Sequence, residues 1–289
     1  LFCTVFMMYP RTEVSAKRIE EVFNLDPIIK NKPADSDFDE KVSIEFDHVT
    51  FVYPDGEEPV LQDVSFKANK GEMIAFIGST GSGKSTLVNL VPRFYDVSSG
   101  SIKINGKDIR DYDVLELRDK LGVIPQKAVL FSGTIADNIR FGKKDASDEE
   151  VEYAAKVAQA YPFIMEKENG FDEEISEGAT NVSGGQKQRL SIARALVRKA
   201  QIYIFDDSFS ALDFKTDAIL RKELKKEMTE SIMLVVAQRI SSIMEADQII
   251  VLNEGKVVGK GTHHQLLKEC QIYHEIATSQ LSEEELANA

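Results

Sequence analysis

A glycine-rich stretch, GSTGSGKST at residues 78–86, limits the folds open to this chain more than any other feature. It matches the pattern GxxxxGK[ST], follows the apolar run MIAFI at residues 73–77 and precedes the helical pattern TLVNLV. Glycines let such a loop curl so that backbone N–H groups point at phosphate oxygens, and the following helix adds its positive N-terminal end. The sequence therefore predicts a phosphate-binding loop between a buried strand and a helix.

Three side chains in and near this loop are candidates for binding a nucleotide and its metal. Lys84 can reach the β- and γ-phosphates, and the Ser85 hydroxyl can bind Mg²⁺. Asp206 ends the apolar run IYIF and is placed to hold the same metal, although alone it would read as a solvated strand-end aspartate. We expect ATP and Mg²⁺ as ligands, with phosphate contacts from Gly78, Ser79, Thr80, Gly81, Ser82, Gly83, Lys84, Ser85 and Thr86.

The apolar patterning indicates an α/β fold. Continuous apolar runs suit strands covered on both faces, whereas alternating runs and the Asn105-Gly106 dipeptide indicate antiparallel hairpins. We predict a P-loop NTPase core with a mainly parallel sheet, an antiparallel β subdomain and a helical subdomain. The continuous runs are residues 73–77, 202–205 and 232–237; the alternating ones are 42–46, 64–68 and 102–109; helical patterns cover 148–168 and 185–200.

Charge and cysteine content exclude several classes of function. The 48 acidic and 35 basic residues give a net charge of -13, which repels a phosphate backbone, so we expect no nucleic-acid partner. The two cysteines, Cys3 and Cys270, lie near opposite ends of the chain and form neither a disulfide framework nor a CxxC metal motif. A reducing, cytosolic setting fits this composition.

The first ten residues are almost wholly apolar, but a membrane-spanning helix needs about 20 such residues. We interpret residues 1–23 as the end of a longer transmembrane helix and its cytoplasmic extension, with a helical pattern over residues 11–23. A buried amphipathic helix of a soluble domain is the alternative. A linker is predicted over 24–40, the nucleotide-binding domain over 41–280 with its helical subdomain at about 134–199, and an acidic tail over 281–289.

The segment SGGQ at residues 183–186, lying between the phosphate loop and IYIFDD, resembles the signature motif of ATP-binding cassette (ABC) proteins. The resemblance extends over residues 42–280, and its motifs occur in family order. It implies that Ser183, Gly184, Gly185 and Gln186 face the γ-phosphate of ATP bound to a second nucleotide-binding domain, with the two domains arranged head to tail.

The same resemblance assigns roles to three isolated residues. Tyr53 is similar to the aromatic residue that stacks on adenine, and Gln126 to the loop glutamine that touches Mg²⁺ and signals its presence to a transmembrane partner. Asp213 is similar to the aspartate that contacts the opposite domain. Without the other motifs, Tyr53 would read as a strand core residue, and Gln126 and Asp213 as solvated loop residues.

Two positions depart from the family pattern, and both act on the attacking water. Asp207 stands where the family usually has the glutamate that polarises this water, so the carboxylate retreats by one C–C bond of about 1.5 Å. Gln238 replaces the histidine that senses the γ-phosphate, and it can donate a hydrogen bond but cannot become cationic. We expect slow hydrolysis and intact binding; the alternative is that both are tolerated variants in a working site.

The resemblance implies the motor domain of an ABC exporter on the cytoplasmic side of a membrane, fused to an upstream transmembrane domain. The segment LFSGTIADNIRFG at residues 130–142 supports the exporter branch, as does Glu177, which is otherwise an ordinary acidic surface residue. We expect a different partner chain bearing Glu and His. The alternatives are a homodimeric exporter, a regulatory ATP-binding module without turnover, and a soluble chromosome-maintenance ATPase, for whose coiled coil residues 126–183 are too short.

Overall fold

The computed structural model describes residues 2–33, 42–282 and 286, with the backbone alone at residues 2–5. The chain divides into two compact units, residues 1–31 and 32–289. In the first unit a single helix, α1 (Phe2–Phe23), includes Pro10 and confirms the helix predicted over residues 11–23. None of the helices in the described part of the chain is both long enough and apolar enough to cross a bilayer. Residues 34–40 of the predicted linker and most of the predicted acidic tail lie outside the described residues.

The second unit contains the predicted strands and helices. Its strands are β1 (Ser43–Phe51), β2 (Leu61–Asn69), β3 (Met73–Gly78), β4 (Ser99–Ile104), β5 (Lys107–Asp108), β6 (Leu121–Ile124), β7 (Gly133–Thr134), β8 (Glu174–Ile175), β9 (Ile202–Asp206), β10 (Ile232–Val236), β11 (Gln248–Asn253) and β12 (Lys256–Gly261). Its helices are α2 (Lys84–Leu90), α3 (Val114–Asp119), α4 (Ile135–Arg140), α5 (Asp148–Val157), α6 (Tyr161–Met165), α7 (Gly184–Leu196), α8 (Phe214–Glu227), α9 (His263–Glu269) and α10 (Gln271–Gln280).

The central sheet positions the site. Its strand order is β12-β11-β3-β10-β9-β6, and all neighbouring pairs are parallel except β11 with β12. The three apolar runs of the sequence form β3, β10 and β9, which are adjacent and almost wholly buried. Because they are parallel, their carboxyl ends meet at one edge of the sheet. Gly78 and Asp206 are the last residues of β3 and β9 there, and Ala237 follows β10. The predicted α/β fold class is confirmed.

A second, antiparallel sheet of order β2-β1-β4-β5 packs on the central one. Asn105 and Gly106 connect β4 to β5 with φ angles of 53° and 78°, the left-handed pair that a two-residue hairpin turn of type I′ requires. Phe66 lies 4.5 Å from Phe46 within this sheet and 5.3 Å from Phe76 of β3, measured between ring centroids. These buried rings join the two sheets into one core.

Helices α4 to α7 lie between β6 and β9 in the chain, as the helical pattern of the sequence indicated. The pattern over residues 148–168 is divided into α5 and α6 rather than forming one helix. Gln159 has a φ of 56°, which breaks the right-handed helix, and Pro162 in the first turn of α6 favours a new start there. The bounds of the domain and of its helical subdomain stay predictions.

Candidate nucleotide site

The phosphate loop leaves β3 in a conformation that requires glycine at two positions. A Cβ on Gly78 would lie 2.0 Å from the Leu252 carbonyl oxygen, and one on Gly83 would lie 2.8 Å from a Leu61 methyl carbon. Gly83 also has a φ of 95° and stands immediately before α2. The loop therefore packs against β11 and β2 while its own curve borders a cavity of about 690 Å³, within the size range of small-molecule sites.

Lys84 is held inside the curve of this loop. Its Nζ donates to the carbonyl oxygens of Gly78 at 2.9 Å and Ser79 at 2.8 Å, and to Ser82 Oγ at 3.3 Å. Its side chain is only 9% exposed. Burial lowers the pKa of the Lys84 ammonium, against the opposing effect of the nearby carboxylates of Asp207 and Asp206. The loop thus keeps a cation where phosphate oxygens would enter.

Ser85 and Asp206 meet at the edge of the sheet, as expected for a shared metal site. Ser85 Oγ donates to Asp206 Oδ1 at 2.9 Å. Burial raises the pKa of the Asp206 carboxyl, while the hydrogen bond from Ser85 lowers it and the charge of Asp207 raises it further. A cation bound at this pair would relieve the cost of burying the carboxylate.

The donor set fits Mg²⁺. Hydroxyl and carboxylate oxygens are its preferred ligands, and it commonly takes only one or two from the protein and the rest from phosphates and water. No group of three or more His, Cys, Asp or Glu side chains suited to a metal occurs among the described residues. When bound there, Mg²⁺ would neutralise charge on the phosphate oxygens.

Asp207 contacts two other predicted site residues, Gln126 and Gln238. Its Oδ2 accepts a hydrogen bond from Gln126 Nε2 at 3.0 Å and another from Gln238 Nε2 at 2.6 Å. The residue is only 7% exposed and has a left-handed backbone, with a φ of 47°. Burial raises the pKa of the Asp207 carboxyl, and the hydrogen bond from Gln126 lowers it. The two positions that depart from the family pattern are therefore in direct contact, and the Gln126 amide is bonded to Asp207.

The signature segment, residues 183–186, begins helix α7. Ser183 Oγ accepts from the Gln186 N–H at 3.3 Å, and Gln186 Oε1 accepts from the Ser183 N–H at 2.9 Å, which completes a capping box. Ser183 and Gly184 are exposed, and a Cβ on Gly184 would meet nothing within 4 Å. These residues do not line the cavity beside the phosphate loop. The segment is an exposed helix N-terminus outside the chain's own cavity.

Tyr53 and Asp213 have contacts that the sequence did not indicate. The Tyr53 hydroxyl lies 3.0 Å from Thr86 Oγ1, and its ring packs edge-on against Phe51 and Tyr95. Asp213 is exposed and accepts a hydrogen bond from the Thr216 N–H at 3.0 Å, capping α8. Tyr53 is thereby attached to the end of the phosphate loop. Three roles stay predictions: that of Tyr53 at adenine, the contact of Asp213 across a dimer, and the role of the exposed Glu177.

Helix α10 also contributes side chains to the cavity, although its sequence indicated no function. Glu275, Ser279 and Gln280 line the cavity together with Ile272 and Ile276. No motif marks them, and they lie nearly 200 residues after the phosphate loop. Only the tertiary packing of α10 against the central sheet brings them to the site.

Comparisons with known proteins agree with the nucleotide site described above. Residues 61–210 match the family model described as ABC transporter. A Mycobacterium tuberculosis protein named as an uncharacterized ABC transporter ATP-binding protein is 43% identical over 276 residues, which cover 94% of this chain and 47% of the relative. A Staphylococcus aureus protein bearing the name of a multidrug export ATP-binding/permease protein is 44% identical over 237 residues, covering 82% of this chain and 41% of the relative.

A solved structure, that of a bacterial Atm1-family ABC exporter with ATP bound, is similar throughout. Its TM-score is 0.89 at 34% sequence identity, with 97% of this chain and 49% of that chain covered. The present chain spans about half the length of the curated relatives it matches. The family match includes the phosphate loop, Gln126, the signature segment, Asp206 and Asp207, and more than half of the residues lie within it. This chain belongs to the ABC transporter family.

Proposed function

We propose that this chain is the ATP-binding motor domain of an ABC exporter, which dimerises head to tail on ATP to drive substrate export. The observation that carries the proposal is the assembled phosphate site, in which Lys84 lies inside the loop and Ser85 bonds Asp206. ABC domains with such a site are ATPases, and the Staphylococcus aureus and Atm1-family relatives are named as export proteins. ATP and Mg²⁺ are the ligands that these residues would hold.

The geometry of the signature segment supports a dimeric site. Its N-terminal N–H groups and the Ser183 hydroxyl form an anion-binding end of α7 that is not part of the chain's own cavity. An ATP molecule bound at the phosphate loop of a second domain would place its γ-phosphate at this helix end. Each site is then built from both domains, with Asp213 close to the boundary.

An exposed aromatic surface supports a membrane-embedded partner. Phe131 and Phe141 are 45% and 60% exposed, and their rings lie 4.6 Å apart beside the Arg194 guanidinium. Arg194 donates to the Val129 carbonyl oxygen, three residues after Gln126. Gln126 in turn donates to Asp207 in the nucleotide cavity, so the surface is connected to the cavity through this segment. In the first unit, α1 also carries exposed apolar side chains, including Phe6, which is 84% exposed. We assign these surfaces to contact with transmembrane segments fused upstream, which puts the domain on the cytoplasmic side of the cell membrane.

Hydrolysis at the chain's own site is proposed to be slow. A general base must lie within hydrogen-bond reach of its water, and a misplacement of about 1 Å can cost on the order of a hundredfold in rate. Asp207 is one methylene shorter than glutamate, and its Oδ2 is already engaged by Gln126 and Gln238. The signature segment is intact, so the chain can still complete a competent site on a partner that has Glu and His at the two positions.

An ATPase assay of the chain tests this proposal. We compare the wild type with the double variant Asp207→Glu/Gln238→His and expect turnover to rise on the order of a hundredfold. The matched control, Asp111→Glu/Gln271→His, makes the same chemical changes at surface positions outside the cavity. Equal turnover in the wild type and the double variant would exclude a degenerate site. ATP binding without turnover in either protein would indicate a regulatory module instead.

A further inference from the structure

Helix α10 forms one wall of the nucleotide cavity and is firmly attached to the core. Tyr273 and Ala277 are fully buried, and Ile272 and Ile276 pack against the same apolar cluster. This anchoring fixes the adjacent face of the helix, which includes Ile272 and Ile276 and lines the cavity. The last residue of that face is Gln280, at the C-terminal end of α10.

Gln280 connects α10 to the backbone that carries Gln238. Its Oε1 accepts from the Ile240 N–H at 2.8 Å, and its Nε2 donates to the Gln238 carbonyl oxygen at 2.9 Å. The Ala237 N–H, one residue earlier, still donates to Phe76 of β3. Residues 238–240 follow the end of β10, so the Gln280 amide pairs with the backbone just beyond the last sheet hydrogen bond.

The two hydrogen bonds act on the backbone around Gln238, the residue that the family resemblance places at the γ-phosphate. They hold the backbone at Gln238 and at Ile240, on either side of Arg239. The Gln238 side chain in turn donates to Asp207 at 2.6 Å. Movement of this backbone would change the reach of the Gln238 amide. A continuous series of contacts therefore runs from the core through α10 and Gln280 to Gln238 and Asp207.

We propose that Gln280 is a positioning residue, which acts through Gln238 and sets the contact with the γ-phosphate of bound ATP. The proposal rests on the function proposed above and extends it to a helix outside the matched family region, which ends at residue 210. Gln280 acts without touching the nucleotide itself. Its role is to hold the Gln238 amide in place, and a purely structural attachment of α10 would leave nucleotide preference unchanged.

The test measures binding of AMP-PNP, which resists hydrolysis, and of ADP, which lacks the γ-phosphate. The proteins are the wild type, Gln280→Ala, Gln238→Ala and the double variant. Loss of two neutral hydrogen bonds should reduce the preference for AMP-PNP over ADP about fivefold in Gln280→Ala. In the Gln238→Ala background the Gln280→Ala change should cause no further reduction, because the two residues act in series.

Gln271→Ala is the matched control, since Gln271 lies on the same helix and its amide donates to Glu275 one turn away. We expect it to keep the wild-type preference. Unchanged preference in Gln280→Ala, even with a lower melting temperature, would overturn the proposal, as would additive effects in the double variant. A wild type that binds both nucleotides equally would also overturn it while leaving ATP binding intact. A wild type that binds neither would remove the proposed function itself.

Discussion

The nucleotide cavity has two sides that differ in how completely they keep the family pattern. The binding side consists of the phosphate loop, residues 78–86, together with Asp206. The water side consists of Asp207, Gln126 and Gln238. On the binding side the expected residues are present, and hydrogen bonds of 2.8–3.3 Å hold Lys84 and Ser85 in place. On the water side, Asp207 and Gln238 stand where the family resemblance leads us to expect glutamate and histidine.

The contrast follows from how each side would work. Phosphate binding depends largely on backbone N–H groups and loop curvature, which most side-chain substitutions leave intact. Water activation depends on the position of one carboxylate, and removing one methylene is enough to disturb it. Changes confined to the water side can therefore separate ATP binding from ATP turnover within the same cavity.

The largest effect is expected from Lys84→Met, which removes the cation from the binding side. Methionine keeps much of the apolar volume of the lysine stem but cannot donate to phosphate. Because hydrogen bonds to charged groups are the stronger class, ATP affinity should fall on the order of a hundredfold. Titration with a fluorescent ATP analogue measures it, with Lys67→Met as a control on an exposed strand position. Retained affinity would show that the loop backbone alone holds the nucleotide.

A smaller effect is expected from Asp206→Asn, which tests the metal role of the binding side. Asparagine keeps an oxygen near Ser85 but removes the negative charge that Mg²⁺ would meet. In Mg²⁺ the affinity for ATP should fall about tenfold, as for the loss of one charge-assisted contact. In EDTA the variant should bind ATP no more weakly than the wild type. An equal loss in both conditions would mean that Asp206 supports the loop through Ser85 rather than holding a metal.

Much of the fold could be predicted because its signals are local. The runs that form β3, β9 and β10 are continuous and apolar, and Asn105-Gly106 requires a left-handed turn that those two residue types favour. The break between α5 and α6 was not predicted. Gln159 has a left-handed backbone there, which a glutamine in the sequence does not predict, and Pro162 then favours a new helix start.

The site residues were predicted one by one, but several of their contacts were not. The strand end indicated Asp206, and the family resemblance indicated Asp207. The hydrogen bond from Gln238 to Asp207, however, spans 31 residues and depends on the pairing of β9 with β10 in the sheet. Gln280 has no sequence signal, because its contact with Gln238 comes from the packing of α10. Motifs report residues that contact ligands, and residues that act through other residues require the structure.

The smallest effect is expected from Asp207→Asn, and its sign distinguishes the two sides most sharply. The Asp207 carboxylate lies close enough to Lys84 to influence its pKa, so it also repels phosphate oxygens that approach the same cation. Removing this charge should tighten ATP binding about threefold, since the repulsion between partly solvated charges is modest. The amides of Gln126 and Gln238 can rotate to pair with asparagine, so the packing is kept. ATPase activity should fall in the same variant. A tenfold loss of affinity, equal to that expected for Asp206→Asn in Mg²⁺, would mean that Asp207 belongs to the binding side and that the division between the two sides is wrong.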